Sequence, residues 1–290
     1  MFEHIAVFGL GLLGGSICRG VRLKNPGMRI AAYGRSGARL EEALREGAID
    51  AAGEIESASL RGVDLAIVST PVEASIPIIR RILTDPDLGP NALVIDVGSV
   101  KEAVVRSARS HERSAQFIGC HPMAGSEKMG YRNSRADLFE GASVIVTPHP
   151  GNREGDVRAV REFWESLKAV TAVVPPDAHD RIVSCTSHLP HMVAAALVRV
   201  IDDCLRRGGM PERIDVFLGG GFRDTTRIAS GSPEMWRDIS ALNRENIISA
   251  VERMIDELSL LRELMAEDPS RSEAVGVYLE AAKGARDGLL

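Results

Sequence analysis

The run Gly119-Cys120-His121-Pro122-Met123-Ala124-Gly125-Ser126-Glu127 brings a histidine, small residues and an acid close together. Gln116 to Gly119 reads as a buried strand. His121 then falls where a strand end opens on a crevice, a natural position for a general base or a hydrogen-bond partner of a substrate hydroxyl. The competing reading is a structural histidine. Pro122 holds the His121 backbone extended. Cys120 lies beside it, but successive strand residues face opposite sides, which argues against a nucleophile and its base. A second constellation is Ser187-His188-Leu189-Pro190-His191, with two histidines three apart on one helical face. No H-E-x-x-H spacing and no cysteine pair accompany it, so no metal is expected, and anion binding or interface packing remains. A third is Gly219-Gly220-Gly221-Phe222-Arg223-Asp224-Thr225-Thr226-Arg227. Three glycines in a helical region mark a sharp backbone excursion. Arg223 or Arg227 could grip a carboxylate in bidentate fashion, or both could be surface charges.

The elements that must position these residues begin at the N-terminus. Ile5 to Phe8 is an apolar run suited to a buried parallel strand. Gly9-Leu10-Gly11-Leu12-Leu13-Gly14 follows and opens a helix running to about Leu23. This is G-x-G-x-x-G in strand–turn–helix context, which reads as a dinucleotide site. Gly9 permits the tight turn, Gly11 lets backbone approach a pyrophosphate, and Gly14 lets helix and strand pack closely. The second strand, Arg29 to Tyr33, ends in Gly34-Arg35-Ser36 with no acid for a ribose 2′-hydroxyl. Arg35 and Ser36 suit a 2′-phosphate, which favours NADP over NAD. Further strands are expected at Asp64 to Ser69, Ala92 to Asp96, Ser143 to Val146 and, at an edge, Thr171 to Val174. Repeated βα units imply a doubly wound, mostly parallel sheet with ligands at strand C-terminal ends. The loops carrying Gly11, Ser69-Thr70-Pro71, Ser99 with Lys101, and His121 could then line one crevice.

Val173-Val174-Pro175-Pro176 marks a boundary, giving an α/β dinucleotide-binding domain over 1–174 and an all-α domain over 175–290. One helix starts near Pro176 and runs, interrupted at Pro190, to about Arg206. Glu245 to Met265 sets Ile248, Val251, Ile255, Leu258, Leu261 and Met265 at helical spacing, widened by Ile247, Met254 and Leu264. So wide a stripe predicts a helical domain that also dimerises.

Composition narrows the function classes. The net charge of −5 gives no reason for nucleic-acid or acidic-membrane affinity. Cys18, Cys120, Cys185 and Cys204 form no C-x-x-C pair and read as reduced, mostly buried thiols. No apolar run approaches the ~20 residues of a membrane span, and the N-terminus lacks a basic signal-peptide region. The expectation is a cytoplasmic enzyme acting on a small molecule.

Taken together, Gly9 through Ser16, Asp96-Val97-Gly98-Ser99-Val100-Lys101, His121 through Glu127, Ser187 through His191, and Gly219 through Arg227 with Pro233-Glu234-Met235-Trp236-Arg237-Asp238 resemble the prephenate/arogenate dehydrogenase family of tyrosine biosynthesis. The resemblance implies a Rossmann domain, a helical dimerisation domain, and NAD(P)-dependent oxidative decarboxylation of prephenate to 4-hydroxyphenylpyruvate or of arogenate to tyrosine. It implies that His121 hydrogen-bonds the ring hydroxyl and that Ser99 assists it. It further implies that Arg227 binds a substrate carboxylate, that His191 lies near the substrate and that Ser187 lies near the nicotinamide. Ser126 and Glu127 fall in the same substrate motif. A carboxylate at Glu127 would favour the side-chain ammonium of arogenate, unless it pairs with a basic residue on its own loop. The competing readings are a dehydrogenase of a modified prephenate, another Rossmann reductase for hydroxy acids, and a non-catalytic NADP-binding sensor.

Overall fold

Short apolar runs rich in Ile, Val and Ala become the adjacent strands of one eight-stranded sheet. A computed structural model gives the structure and describes residues 2–125, 129–208, 213–266 and 272–289. The strands are β1 (His4–Phe8), β2 (Arg29–Tyr33), β3 (Ala51–Gly53), β4 (Leu65–Val68), β5 (Leu93–Asp96), β6 (Phe117–Pro122), β7 (Ser143–Thr147) and β8 (Val170–Val173). Their order across the sheet is β3-β2-β1-β4-β5-β6-β7-β8. All neighbours are parallel except β6 and β7. The first six strands therefore have the doubly wound order 3-2-1-4-5-6. The five crossover helices are α1 (Leu12–Lys24), α2 (Gly37–Arg45), α3 (Val72–Thr84), α4 (Glu102–Arg109) and α5 (Glu154–Ser166).

Alternation along each strand divides the core in two. Ile5, Val7, Ile30, Ile67, Ile95 and Ile118 face one side, with Ile17 and Trp164 packed over them. Ala6, Phe8, Ala31, Val68, Val94 and Phe117 face the other.

After β8 the described elements are helical: α6 (Pro176–Val183), a π-helical turn (Ser184–His188), α7 (Leu189–Gly208), a 3₁₀ turn (Ile214–Phe217), α8 (Gly220–Thr226), a second 3₁₀ turn (Arg227–Ser230), α9 (Pro233–Leu242), α10 (Arg244–Ala266) and α11 (Ser272–Leu289). Ile239 of α9 and Ile247 of α10 join the second sheet core, so this region docks against one sheet face, where α9 meets α3.

The structure departs from the sequence reading in several places. The strand expected to stop at Gly119 continues through His121 to Pro122, because Gly119 to Pro122 pair with the antiparallel strand β7. The short strand β3 carries no apolar run and was not foreseen. The helix expected to be interrupted at Pro190 instead continues through it, with a π-helical turn at Ser184–His188 immediately before the proline. Gly219 to Gly221 make no left-handed excursion and instead start α8. Of the four cysteines, Cys18 and Cys120 are buried, whereas Cys185 and Cys204 are exposed.

Candidate active site

The glycine loop has the geometry its spacing predicts. Gly9 adopts φ +101°, and an added Cβ there would lie 2.8 Å from the Ser69 carbonyl oxygen and 2.9 Å from Thr70 Cγ2. A Cβ on Gly14 would collide with the Gly9 carbonyl and the Ser69 hydroxyl. Ser69 Oγ donates to the Gly9 carbonyl at 2.5 Å, and the Gly9 N–H donates to the Tyr33 carbonyl at 2.8 Å. These contacts tie together the C-terminal ends of β1, β2 and β4. Gly11, by contrast, would meet nothing within 4 Å. It caps α1, whose first turn carries no acid. Open space over Gly11 at the helix N-terminus, just before Leu12 and Leu13, fits a pyrophosphate. Thr70 Oγ1 is buried with no hydrogen-bond partner among the described residues, and Pro71 caps α3. Past β2, Gly34 is buried, its N–H donating to the Gly53 carbonyl at 3.0 Å. Arg35 is exposed and Ser36 caps α2 without a side-chain capping bond.

At the end of β6, His121 keeps 8% of its surface. Beneath it lies a buried ion pair, Lys101 with Asp96, both fully enclosed. Lys101 Nζ also donates to the Cys120 carbonyl at 2.8 Å, and the Cys120 N–H donates to Asp96 Oδ1 at 3.2 Å. The β5–β6 backbone register extends only to Ile95 and Ile118. Beyond it, these two side chains satisfy the Cys120 peptide groups and fix the residue before His121. Ser99, half-buried, sits on the connection between the two charged residues.

The helical region reaches the same strand end through α6. His121 Nδ1 lies 2.8 Å from His179 Nε2, and His179 Nδ1 lies 2.7 Å from Asp180 Oδ1. Asp180 also accepts the Lys101 N–H at 2.8 Å and the Glu102 N–H at 2.9 Å. It thus caps α4 from 79 residues away in sequence. Asn243, at the α9–α10 junction, donates to the Asp180 carbonyl at 2.9 Å and to His188 Nδ1 at 3.1 Å.

Desolvation first, then His179, Lys101 and His188, holds the pKa of His121 well below the usual histidine value of 6.5. The imidazole is therefore neutral near pH 7 and able to accept a proton. Burial likewise lowers His188, to about 4, and lowers His191, where the Ile228 backbone opposes the shift. Burial pushes the Cys120 thiol up to about 12, which removes it as a nucleophile.

His191 stacks on Trp236 with ring centroids 3.5 Å apart and 10° between planes. Gly231 allows this, since a Cβ there would lie 2.7 Å from Trp236 Nε1. Arg227 starts the 3₁₀ turn that packs on α7, the helix of His191; it is exposed and forms no ion pair among the described residues. Ser187 is half-buried in the π turn. Ser126 and Glu127 lie outside the described residues. No group of three or more His, Cys, Asp or Glu side chains that could hold a metal occurs among the described residues.

Sequence reasoning assigned no site role to His179, Asp180, Trp236 or Asn243. His179 and Asp180 looked like ordinary residues at a helix start, and Lys101 was named only as a crevice candidate. Only the fold brings His179 to His121, across 58 positions.

Fold and site together define a Rossmann-type dehydrogenase with a helical second region. A profile described as the prephenate dehydrogenase nucleotide-binding domain matches residues 17–173, and one described as the prephenate dehydrogenase dimerization domain matches 175–275. Prephenate dehydrogenase of Bacillus subtilis is 36% identical over 100% of this chain and 76% of its own length. Cyclohexadienyl dehydrogenase of Zymomonas mobilis is 28% identical over 92% of this chain and 89% of its own. The solved structure of Aquifex aeolicus prephenate dehydrogenase with hydroxyphenyl propionate and NAD+ superposes with a TM-score of 0.89, at 32% identity, over 100% and 99% of the two chains. Synechocystis arogenate dehydrogenase superposes at 0.80, with 27% identity over 99% and 100%. The chain belongs to the prephenate dehydrogenase family. Its nucleotide-binding domain takes a nicotinamide cofactor, and its substrate is a small molecule.

Proposed function

We propose that this chain oxidatively decarboxylates prephenate to 4-hydroxyphenylpyruvate. The observation that carries this reading is His121: buried, neutral, and held at the same sheet end as the glycine loop. Strands β1, β4, β5 and β6 are parallel, so the Gly9–Gly14, Ser69–Pro71, Ser99 and His121 segments all leave that end. The cofactor would rest on Gly9, Gly11 to Gly14, Ser69 to Pro71 and Gly34 to Ser36, and when bound it accepts a hydride from the carbinol carbon of the substrate.

His121 accepts the hydroxyl proton as the carbonyl forms. The carbon–carbon bond to the ring carboxylate then breaks, CO2 leaves, and its electron pair restores an aromatic ring. The oxygen regains the proton from His121 as a phenol. Ser99 would hydrogen-bond the reacting hydroxyl. Arg227 orients a substrate carboxylate, with His191 against the ring and Ser187 toward the nicotinamide.

Arg35 and Ser36, with no acid at the end of β2, favour NADP. The exposed apolar residues of α7, α10 and α11 support a homodimer built through them. They include Val200, Ile248, Ile255, Leu258 and Val277. The test is cofactor reduction followed by absorbance, with prephenate and arogenate each supplied with NAD and NADP. Turnover of prephenate, faster with NADP, is the expected result. Turnover of arogenate alone would replace the substrate, and none in all four would refute the reading.

A further inference from the structure

The buried line His121–His179–Asp180 has a direction. Asp180 accepts backbone N–H groups on both carboxylate oxygens, so the proton in its bond to His179 belongs to His179 Nδ1. A neutral His179 then has only Nε2 left, as an acceptor. The proton in the 2.8 Å bond between the two rings therefore belongs to His121 Nδ1, which leaves His121 Nε2 as its acceptor nitrogen. We propose that His179 and Asp180 are positioning residues that fix this tautomer of His121, present Nε2 to the substrate hydroxyl, and disperse the charge His121 gains during the reaction. The inference rests on the proposed role of His121 as the proton acceptor, and it names what sets that role.

Three features support it. His179 and Asp180 are 2% and 1% exposed, so water does not compete for these bonds. Asp180 is held from three sides: by the two N-terminal amides of α4, by His179, and through its own carbonyl by Asn243. The rings of His121 and His179 meet at 69° with centroids 5.0 Å apart, an edge-on approach suited to an N–H···N bond rather than to stacking. When His121 takes up the hydroxyl proton on Nε2, its Nδ1 proton strengthens its bond to His179, and the Asp180 carboxylate lies one ring further on to balance the charge. The proton goes back to the product phenol, so the line ends each cycle as it began.

The charged and titratable groups facing His121 come from every side. Asp96 and Lys101 lie at the β5–α4 connection, His179 and Asp180 on α6, and His188 on the π turn. Lys101 is already paired with Asp96, so among these groups Asp180 supplies the negative charge joined to His121 through a ring.

The first test is the 15N imidazole spectrum of the full-length protein, labelled at histidine, with the His121 signals assigned by their loss in His121→Asn. Nδ1 of His121 should show a protonated, pyrrole-like shift and Nε2 an unprotonated one; the reverse pattern overturns the proposal. This readout does not depend on turnover, so a wrong substrate would leave it standing. Kinetics supplies the second test. His179→Ala should lower kcat by ~10–100-fold, within the span of a positioned acid–base group, with KM within about twofold. His179→Gln, whose side-chain oxygen can accept from Nδ1–H, should recover most of that loss. A loss of less than twofold in the alanine variant, or no recovery with glutamine, would count against a positioning role. In Asp180→Asn the imidazolium loses a stabilising charge, so the acid limb of kcat/KM should move to lower pH by ~0.5–1 unit. An unmoved limb reduces Asp180 to a helix cap. Should that variant fail to fold, the spectrum and the His179 pair decide the matter.

Discussion

The sheet region and the helical region bury their apolar residues in opposite ways. Through β8, the large apolar side chains are enclosed by the two faces of the sheet and their helices apart from a scattered few, Leu23, Leu44, Met123, Met129, Val170 and Val173. Beyond it, Ile182, Val200, Phe217, Ile248, Ile255, Leu258, Met265, Val277 and Leu279 all lie exposed, Met265 at 68%. The same amphipathic logic operates in both, but in the first the chain supplies its own cover. In the second it leaves an apolar face such as a second copy would cover. The regions also differ in how they treat charge. The sheet encloses one ion pair completely, whereas Arg206–Asp202 and Arg207–Asp203 on α7 sit in solvent.

The contrast can be pressed hardest where the regions meet. His121→Asn removes the proton acceptor and should lower kcat by ~10²–10⁴ with KM little changed; steady-state kinetics on prephenate checks it, and an unchanged kcat would return His121 to a structural role. Lys101→Met strands Asp96 in the core and should cost ~3–5 kcal/mol of stability in urea unfolding. Arg206→Ala, which breaks an exposed pair one turn apart, should cost no more than ~0.5 kcal/mol by the same assay. Comparable losses at the two sites would erase the distinction between them.

Smaller effects sharpen the picture. Arg227→Ala should raise KM for prephenate by ~10–100-fold, the loss of a charge-assisted bidentate contact, and leave KM for the cofactor nearly unchanged. Equal effects on both would indicate a folding role. Ile255→Glu should shift the protein toward monomer in sedimentation without disturbing dinucleotide binding, since the sheet completes its own core. Acid should weaken the fold mildly. His188 is lowered in the folded state to about 4 from 6.5, so the unfolded chain binds more protons between those values. The resulting stability is present above pH 6.5 and falls by ~1–2 kcal/mol toward pH 5; Tm measured across that range reads it, and His188→Asn should flatten the slope.

Much of this protein was legible in the sequence because its signals are local. A β-strand followed by Gly9, Gly11 and Gly14 needs only near neighbours to dictate a tight turn and an open helix end, and the structure has both. The over-wide stripe of α10 was equally readable, since the spacing of Ile248, Ile255 and Leu258 depends on helical pitch alone. Other features depended on partners far along the chain. The extension of β6 through His121 required β7, which pairs antiparallel to it. The start of α4 found its cap in Asp180, on another helix. The hydrogen bond at His121 Nδ1 required His179 in place behind it.

The sequence by itself thus determined the dinucleotide fold, its helical companion and the residue types able to handle a proton and a carboxylate. Periodicity and turn chemistry act over a few residues and leave their mark on the order of the chain. Tertiary structure alone decided which lysine is buried, which histidine faces another, and which carboxylate holds them. Those outcomes depend on desolvation and on hydrogen bonds between segments that meet only once the sheet has formed.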